Sequence, residues 1–237
     1  MSHSITQKDI NNEALNAILW LQTSAEYRAL CYQAYNTALA QIKSAVCTDK
    51  PLAVILDCDE TVIDISPLDA ACLDTDDNVS FSAWIKESKA GAMPGAYEFL
   101  SAVDALSIDI FYITNRKEGL KADTMRNMKA LNFPQIDEAH VLCETGSEGK
   151  ESRFKRIESQ YNVILYLGDT AHDFPTGSYH KSVSERNEIT DRNKNLYGVR
   201  YFVLPNPVYG DWMRDFRGRT PEETHNLKMK ALKIYRP

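Results

Sequence analysis

Two pairs of aspartates, each just past an aliphatic run, are the residues of this sequence best suited to chemistry. Asp57 and Asp59 follow Ala53-Val-Ile-Leu56, with Cys58 between them. Asp169 and Asp173 follow Val163-Ile-Leu-Tyr-Leu167, inside Gly168-Asp-Thr-Ala-His-Asp173. Carboxylates one residue apart repel unless a cation or proton lies between them. The first pair therefore suggests a metal site, an acid/base pair, or both. Either pair alone also reads as a turn or helix cap; the repetition at the ends of two runs is what singles them out. If the runs are neighbouring strands, Asp57, Asp59, Asp169 and Asp173 converge on one patch. Hard oxygen donors of this kind suit Mg²⁺, which keeps several waters and takes one or two carboxylates plus a phosphate. Cys58 should point away from the acids, because side chains alternate along an extended segment, and it reads as packing.

Two further groups fall between the pairs. The run Asp109–Ile113 ends in Thr114-Asn115-Arg116. A threonine hydroxyl and neighbouring amides can hold phosphate oxygens, and arginine binds them in bidentate fashion. Lys150 opens a predicted helix, where a cation gains nothing from the dipole. That local mismatch favours a phosphate-facing lysine.

The elements that must position these groups can be read from periodicity. Four consecutive apolar residues, Ala53–Leu56, read as a strand buried on both faces. A helix over about 95–106 leads to a strand at 109–114, then a helix to about Leu131, a short strand near 140–143 and a helix near 150–160. Strands at 163–168 and 199–204 follow. This alternation predicts an α/β fold, a Rossmann-like parallel sheet with helices on both faces. Ligands of such sheets gather at the carboxyl ends of the strands, where the acids sit. Residues 10–43 read as helices, with an apolar stripe through Tyr27, Leu30, Cys31, Ala34, Tyr35, Ala38, Leu39 and Ile42 that predicts packing onto the core. Thr23 and Glu26 have the spacing of a capping box. The acid-rich stretch 64–92, with Asp74, Asp76, Asp77, Phe81 and Trp84, is long for a crossover and reads as a small, mainly helical cap. Thr220-Pro-Glu-Glu223 starts a last helix to about Ile234, and the basic residues near its end, Arg236 among them, suit the dipole.

Composition narrows the class. The chain has 237 residues, enough for one large domain or a core with a cap. A net charge of −6 argues against a nucleic-acid polymer as partner. No segment approaches the roughly 20 apolar residues of a membrane span, and the N-terminus lacks the apolar core of a secretory signal. Cys31, Cys47, Cys58, Cys72 and Cys143 are odd in number and irregular in spacing, which predicts free thiols rather than a disulfide framework or zinc site. Self-association is left open.

The series Asp57-Cys-Asp-Glu-Thr61, Thr114-Asn-Arg116, Lys150 and Gly168-Asp-Thr-Ala-His-Asp173 resembles the four signature motifs of the haloacid dehalogenase (HAD) superfamily, in order, and the bacterial class C acid phosphatases most of all. Leu19-Trp-Leu-Gln-Thr-Ser-Ala-Glu-Tyr-Arg28, Tyr32-Gln-Ala-Tyr-Asn36, Pro94-Gly95 and Leu204-Pro-Asn-Pro-Val-Tyr-Gly-Asp-Trp212 add to it, so it spans about residues 15–213. The resemblance implies a Mg²⁺-dependent phosphomonoesterase acting on a small-molecule ester, with nucleoside monophosphates as candidates and sugar phosphates or phosphoproteins as alternatives. A non-catalytic storage or ligand-binding relative is the alternative of another class. It implies Asp57 as nucleophile and Asp59 as general acid/base, with the ion held by Asp57, the Asp59 carbonyl, Asp169 and Asp173. Thr114, Asn115 and Lys150 would hold the phosphoryl group, and Trp84, Tyr209 and Arg116 the substrate. It frames residues 1–237 as one domain: a core of about 45–65 and 93–213, accessory helices 10–43, a cap insertion of about 66–92 and a terminal helix of about 221–234. The family usually has an aliphatic residue at Cys58, asparagine at Ile65 and an aromatic at Leu68, so the part of the pocket that meets the organic group differs here. The family is typically exported, often as lipoproteins, whereas this chain as it begins has no leader.

Overall fold

The computed structural model describes residues 4–44, 49–76, 79–146 and 149–235. Cys47, Asp77 and Arg236 lie outside the described residues. The chain opens with α1 (Gln7–Asn12), α2 (Leu15–Thr23) and α3 (Ala25–Lys43), then enters β1 (Leu52–Leu56). A ladder of β2 (Ile63–Asp64) with β3 (Gly91–Ala92) brackets the cap helices α4 (Ser66–Ala71) and α5 (Phe81–Glu87). There follow α6 (Ala96–Ala105), β4 (Asp109–Lys117), α7 (Lys121–Ala130), β5 (Val141–Glu144), α8 (Glu151–Gln160), β6 (Asn162–Gly168), α9 (Val183–Arg192), β7 (Tyr201–Val203) and α10 (Pro221–Ala231).

Among the described residues the main sheet has five strands in the order β5-β4-β1-β6-β7, every pairing parallel. From β1 the chain moves outward on one side through β4 and β5, then returns to the other side of β1 as β6. Strand order therefore reverses at β1, and a crevice opens beyond its carboxyl end. Register brings the two acid pairs to that crevice, because Leu56 faces Tyr112 on one side and Leu167 on the other.

Alternation along β1 divides the core. Val54 and Leu56 face α3, α6 and α7, together with Ile110, Tyr112, Leu165 and Leu167. Ala53 and Ile55 face α8 through Phe154 and Ile157. Both faces are covered, as the unbroken aliphatic runs require. Of the stripe on α3, Tyr27, Cys31, Tyr35, Ala38 and Ile42 are buried, while Leu30 is exposed. Each large apolar side chain so buried contributes roughly 1.5–3 kcal/mol.

Several boundaries differ from the sequence reading. Ser24, not Thr23, caps α3: its hydroxyl accepts from Tyr27 N at 3.0 Å, while Thr23 Oγ1 donates back to Leu19 O at 2.7 Å. The short α1, closed by a Thr6–Asp9 capping box, precedes the helices foreseen. Helix α9, capped by Ser182 and Glu185, was not foreseen, and α10 ends at Ala231 rather than near Ile234. No helix among the described residues is long and apolar enough to cross a membrane.

Candidate active site

Strand β1 does not stop cleanly at Leu56. Asp57 N still donates to Leu167 O at 3.0 Å, so Asp57 is held in line with β6 as the chain leaves the sheet. The chain then turns tightly, with Cys58 O accepting from Val62 N (2.9 Å) and Ile63 N (2.8 Å) and Glu60 in the left-handed region at φ +52. The Cys58 side chain is fully buried in the core, turned from the acids as alternation requires. Across the ladder, Gly168 ends β6 where only a hydrogen fits. A Cβ there would overlap Asp173 Cβ and stand 2.6 Å from Asp173 Cγ. Asp173 is drawn under the strand end by Thr170, whose N (2.9 Å) and Oγ1 (3.0 Å) both donate to its Oδ2.

These constraints bring Asp57, Asp169 and Asp173 together, with one carboxylate oxygen from each within 4.8 Å of the others. Lys150 Nζ, buried at the entry to α8, donates to Asp57 Oδ1 and to Asp173 Oδ1, the latter at 2.7 Å. Asp169 Oδ2 accepts from Asn206 Nδ2 at 2.7 Å. Asn206 lies within the quoted Leu204–Trp212 stretch, but nothing in its spacing marked it as a partner of an acid 37 residues away.

The remaining site residues are placed as follows. Thr114 is buried; its Oγ1 accepts from Arg116 N at 3.1 Å. Asn115 Nδ2 donates to His172 Nε2 at 3.2 Å. Arg153 fastens this strand end from beneath, its Nη1 donating to Thr114 O at 2.6 Å and to Leu142 O at 2.9 Å. The sequence reading gave Arg153 no part. Arg116 binds Asp59: its Nη2 lies 2.6 Å from Oδ1, and its Nε lies 3.0 Å from Oδ2. The Asp59 carboxylate accordingly faces Arg116 and is not one of the three clustered acids. Tyr209 lines the cavity above these groups, whereas Trp84 does not; Phe81, stacked on Trp84 at 6.5 Å, lines it instead.

That cavity is about 470 Å³. Its floor is Asp57, Asp59, Thr114, Asn115, Lys150 and Asp169, and Ile65, Leu68, Val79 and Phe81 form an apolar side. The volume suits a small organic molecule. Of the three clustered acids, Asp57 and Asp173 share the Lys150 ammonium, and among the described residues half-buried Asp169 has only the Asn206 amide, so negative charge is in excess. Burial, with Asp173 and Asp59 adding to it against Lys150, pushes Asp57 up to about 6. Burial, together with Asp173 and Asp57, drives Asp169 well above the usual carboxylate range. For Asp173 burial pulls the same way, but Lys150 and His172 outweigh it and hold it low. Lys150 is raised, its two carboxylates overcoming the desolvation that favours a neutral amine. An all-oxygen donor set with surplus negative charge fits a hard divalent cation, which would invert this balance.

The comparisons with known proteins agree with this geometry. The family model of the HAD superfamily, subfamily IIIB (acid phosphatase), matches residues 1–212. The class C acid phosphatase from Bacillus anthracis is 34% identical, over 96% of this chain and 99% of that one, with a TM-score of 0.91. A crystal structure of the class C acid phosphatase from Bacillus anthracis with tungstate bound superimposes with a TM-score of 0.92 at 33% identity, over 96% and 99% of the two chains. The chain belongs to the HAD subfamily IIIB acid phosphatases, and is a phosphomonoester hydrolase of the class C kind.

Proposed function

We propose that the chain hydrolyses phosphomonoesters of small alcohols through an aspartyl-phosphate formed on Asp57, with Mg²⁺ as cofactor. The observation that carries this reading is the meeting of Asp57, Asp169 and Asp173 around Lys150 at the ends of β1 and β6. In the first step an Asp57 carboxylate oxygen bonds to phosphorus while the ester P–O bond breaks. Asp59 gives the departing oxygen its proton. In the second, Asp59 takes a proton from water, whose oxygen attacks phosphorus, and the bond to Asp57 breaks to free phosphate. Lys150 and Thr114 hold the equatorial oxygens, where charge spreads in the transition state. Asp57, Asp169 and the Asp59 carbonyl would hold Mg²⁺, with Asp173 steadying its waters; when bound, the ion neutralises the acids and polarises the phosphoryl group.

The size of the cavity favours a small ester over a phosphoprotein. Tungstate, bound in the Bacillus anthracis enzyme, is a tetrahedral oxyanion of phosphate's shape, which accords with an oxyanion site. Tyr209 and Phe81 offer ring surface to a flat substrate such as a nucleoside monophosphate. Retention of both Asp57 and Asp59 speaks against a non-catalytic relative. Residues 1–237 are proposed to act as one domain, the segment 66–92 covering the site.

The test is p-nitrophenyl phosphate hydrolysis by wild type and Asp57→Asn, each with EDTA and after Mg²⁺ is restored. Loss of the nucleophile should lower kcat by about 10³-fold or more. EDTA should silence the wild type until Mg²⁺ is added. Near-normal turnover by Asp57→Asn with an intact fold would sink the nucleophile assignment, and full activity in EDTA would sink the metal.

A further inference from the structure

Between its two acids the run Gly168-Asp-Thr-Ala-His-Asp173 carries a histidine that takes no part in the two-step hydrolysis. His172 lines the cavity with Asn115, and its side chain is 13% exposed. Ring nitrogen Nδ1 lies 2.9 Å from Thr170 Oγ1 and 3.3 Å from Asp211 Oδ2. The Thr170 hydroxyl donates its own hydrogen to Asp173 Oδ2, so toward the ring it accepts, as the Asp211 carboxylate does. Those two acceptors assign a hydrogen to Nδ1. Nε2, on the other side of the ring, takes the hydrogen of Asn115 Nδ2 at 3.2 Å.

Asn115 is gripped at its other end as well. Arg153 Nη2, which can only donate, lies 3.3 Å from Asn115 Oδ1. A carboxamide has a donor end and an acceptor end, and the wrong one turned to a phosphoryl oxygen repels it. An acceptor beside Nδ2 and a donor beside Oδ1 settle which end is which. Nδ2 carries two hydrogens. His172 engages one and leaves the second for a ligand on the floor of the cavity. Asp211 is held in turn by Arg186 Nη1 at 3.3 Å. A line of contacts thus runs from Arg186 on α9 through Asp211 and His172 to Asn115 on β4.

We propose that His172 is a positioning residue for phosphoryl binding, which keeps the hydrogens of the Asn115 amide turned to the phosphoryl oxygens, and that Asp211 holds His172 in that pose. The inference rests on the reading of the floor as the phosphoryl site, with Asn115 among its donors. A donor oriented before the ligand arrives costs nothing further to order. Loss of that orientation weakens the grip on phosphate without removing any group that touches it. The effect should fall alike on substrate and on product phosphate, whatever alcohol the ester carries.

The experiment measures the Kd of inorganic phosphate by calorimetry with Mg²⁺ present, and kcat and KM for aryl phosphates of differing leaving groups. Wild type is compared with His172→Phe, His172→Gln, Asp211→Ala, Asn115→Ala and the double variant of His172→Phe with Asn115→Ala. Phenylalanine keeps a ring against Tyr179, 5.7 Å away, but accepts no hydrogen bond. His172→Phe should raise the phosphate Kd and KM together by about three- to tenfold, equally for every leaving group. His172→Gln, whose amide oxygen accepts from Asn115, should lie closer to wild type. Asp211→Ala should weaken phosphate at least twofold and by less than His172→Phe. In the Asn115→Ala background His172→Phe should add less than twofold, since the two act as one unit. The inference is overturned if folded His172→Phe binds phosphate within twofold of wild type. Full multiplication of its loss with that of Asn115→Ala, or a Gln variant as poor as the Phe one, overturns it too. Should His172→Phe fail to fold, Asp211→Ala decides by the same twofold criterion. Wild type that binds phosphate yet cleaves no ester would count against the hydrolytic reading alone, and wild type that does not bind phosphate would overturn both.

Discussion

The Arg116 guanidinium holds Asp59 by both carboxylate oxygens, and its own place is fixed from two other directions. Nη1 donates to Thr124 Oγ1 at 3.2 Å, and the guanidinium lies 5.8 Å from the centre of the Phe81 ring. Its side chain is 1% exposed, and holding both carboxylate oxygens demands a planar fork that lysine lacks. Arg116→Ala should therefore lower kcat by about 10–100-fold, the scale of lost hydrogen bonds to a charged group. Under the proposed mechanism the loss should be steeper for esters of more basic alcohols, which would depend most on a proton from Asp59. Arg116→Lys should recover only part. A series of aryl phosphates checks this: a uniform loss across leaving groups, or an effect on KM alone, would mean that Arg116 does not position the acid. The sequence placed Arg116 at the right edge of the sheet but not its partner. A guanidinium suits phosphate and carboxylate equally, and only the folded distance to Asp59, 57 residues upstream, decides between them. Trp84 and Phe81 pose the same difficulty. They lie three apart on one short helix, and which ring meets the cavity depends on how the cap settles, not on spacing.

The turn after β6 depends on Gly168, which ends the strand with Asp173 folded back against it. Gly168→Ala should destabilise the protein by about 1–3 kcal/mol, as overpacking does. It should also push Asp173 off Lys150, lowering activity further than the stability loss explains. Thermal melting and kcat measured side by side test it, and a variant as stable and active as wild type would show that the turn has slack. Elements of this kind were legible in proportion to their apolar periodicity. The aliphatic runs that become β1 and β6 left little choice, and their ends located the acids. Helix α9 lacks such a signal, since Ile189 is its one buried apolar residue among charged neighbours. Its Ser182–Glu185 capping box was present in the sequence but stood without the periodicity that usually accompanies one. Adjacent Thr23 and Ser24 are both good caps, so the start of α3 could be read to within a residue and no closer.

The N-terminal helices meet the last helix. Glu13, between α1 and α2, accepts from His225 Nδ1 at 2.9 Å and from Lys228 Nζ at 2.6 Å on α10. Partial burial favours the neutral acid, but the bonds from Lys228 and His225 outweigh it and hold Glu13 below its ordinary value of 4.5. A depressed acid stabilises the fold above its unfolded value, and that contribution is lost as pH falls through the folded one. Glu13→Gln should therefore lower Tm by about 1–3 °C near neutrality, given the modest worth of a partly exposed pair. The gap to wild type should close as pH drops below 4.5. Melting curves from pH 3 to 7 would show it, and a constant gap would mean that the tie is not ionic. No local pattern could have paired residues so distant; only the assembled molecule does.

The order β5-β4-β1-β6-β7 also governs when the protein becomes competent. Asp57 and Asp169 are neighbours only because a strand returns after more than a hundred residues to lie beside its predecessor. Closing so large a loop is slow compared with winding the helices between. Recovery of hydrolysis in a refolding chain therefore reports that β6 has returned to lie beside β1, whatever helix content has formed before.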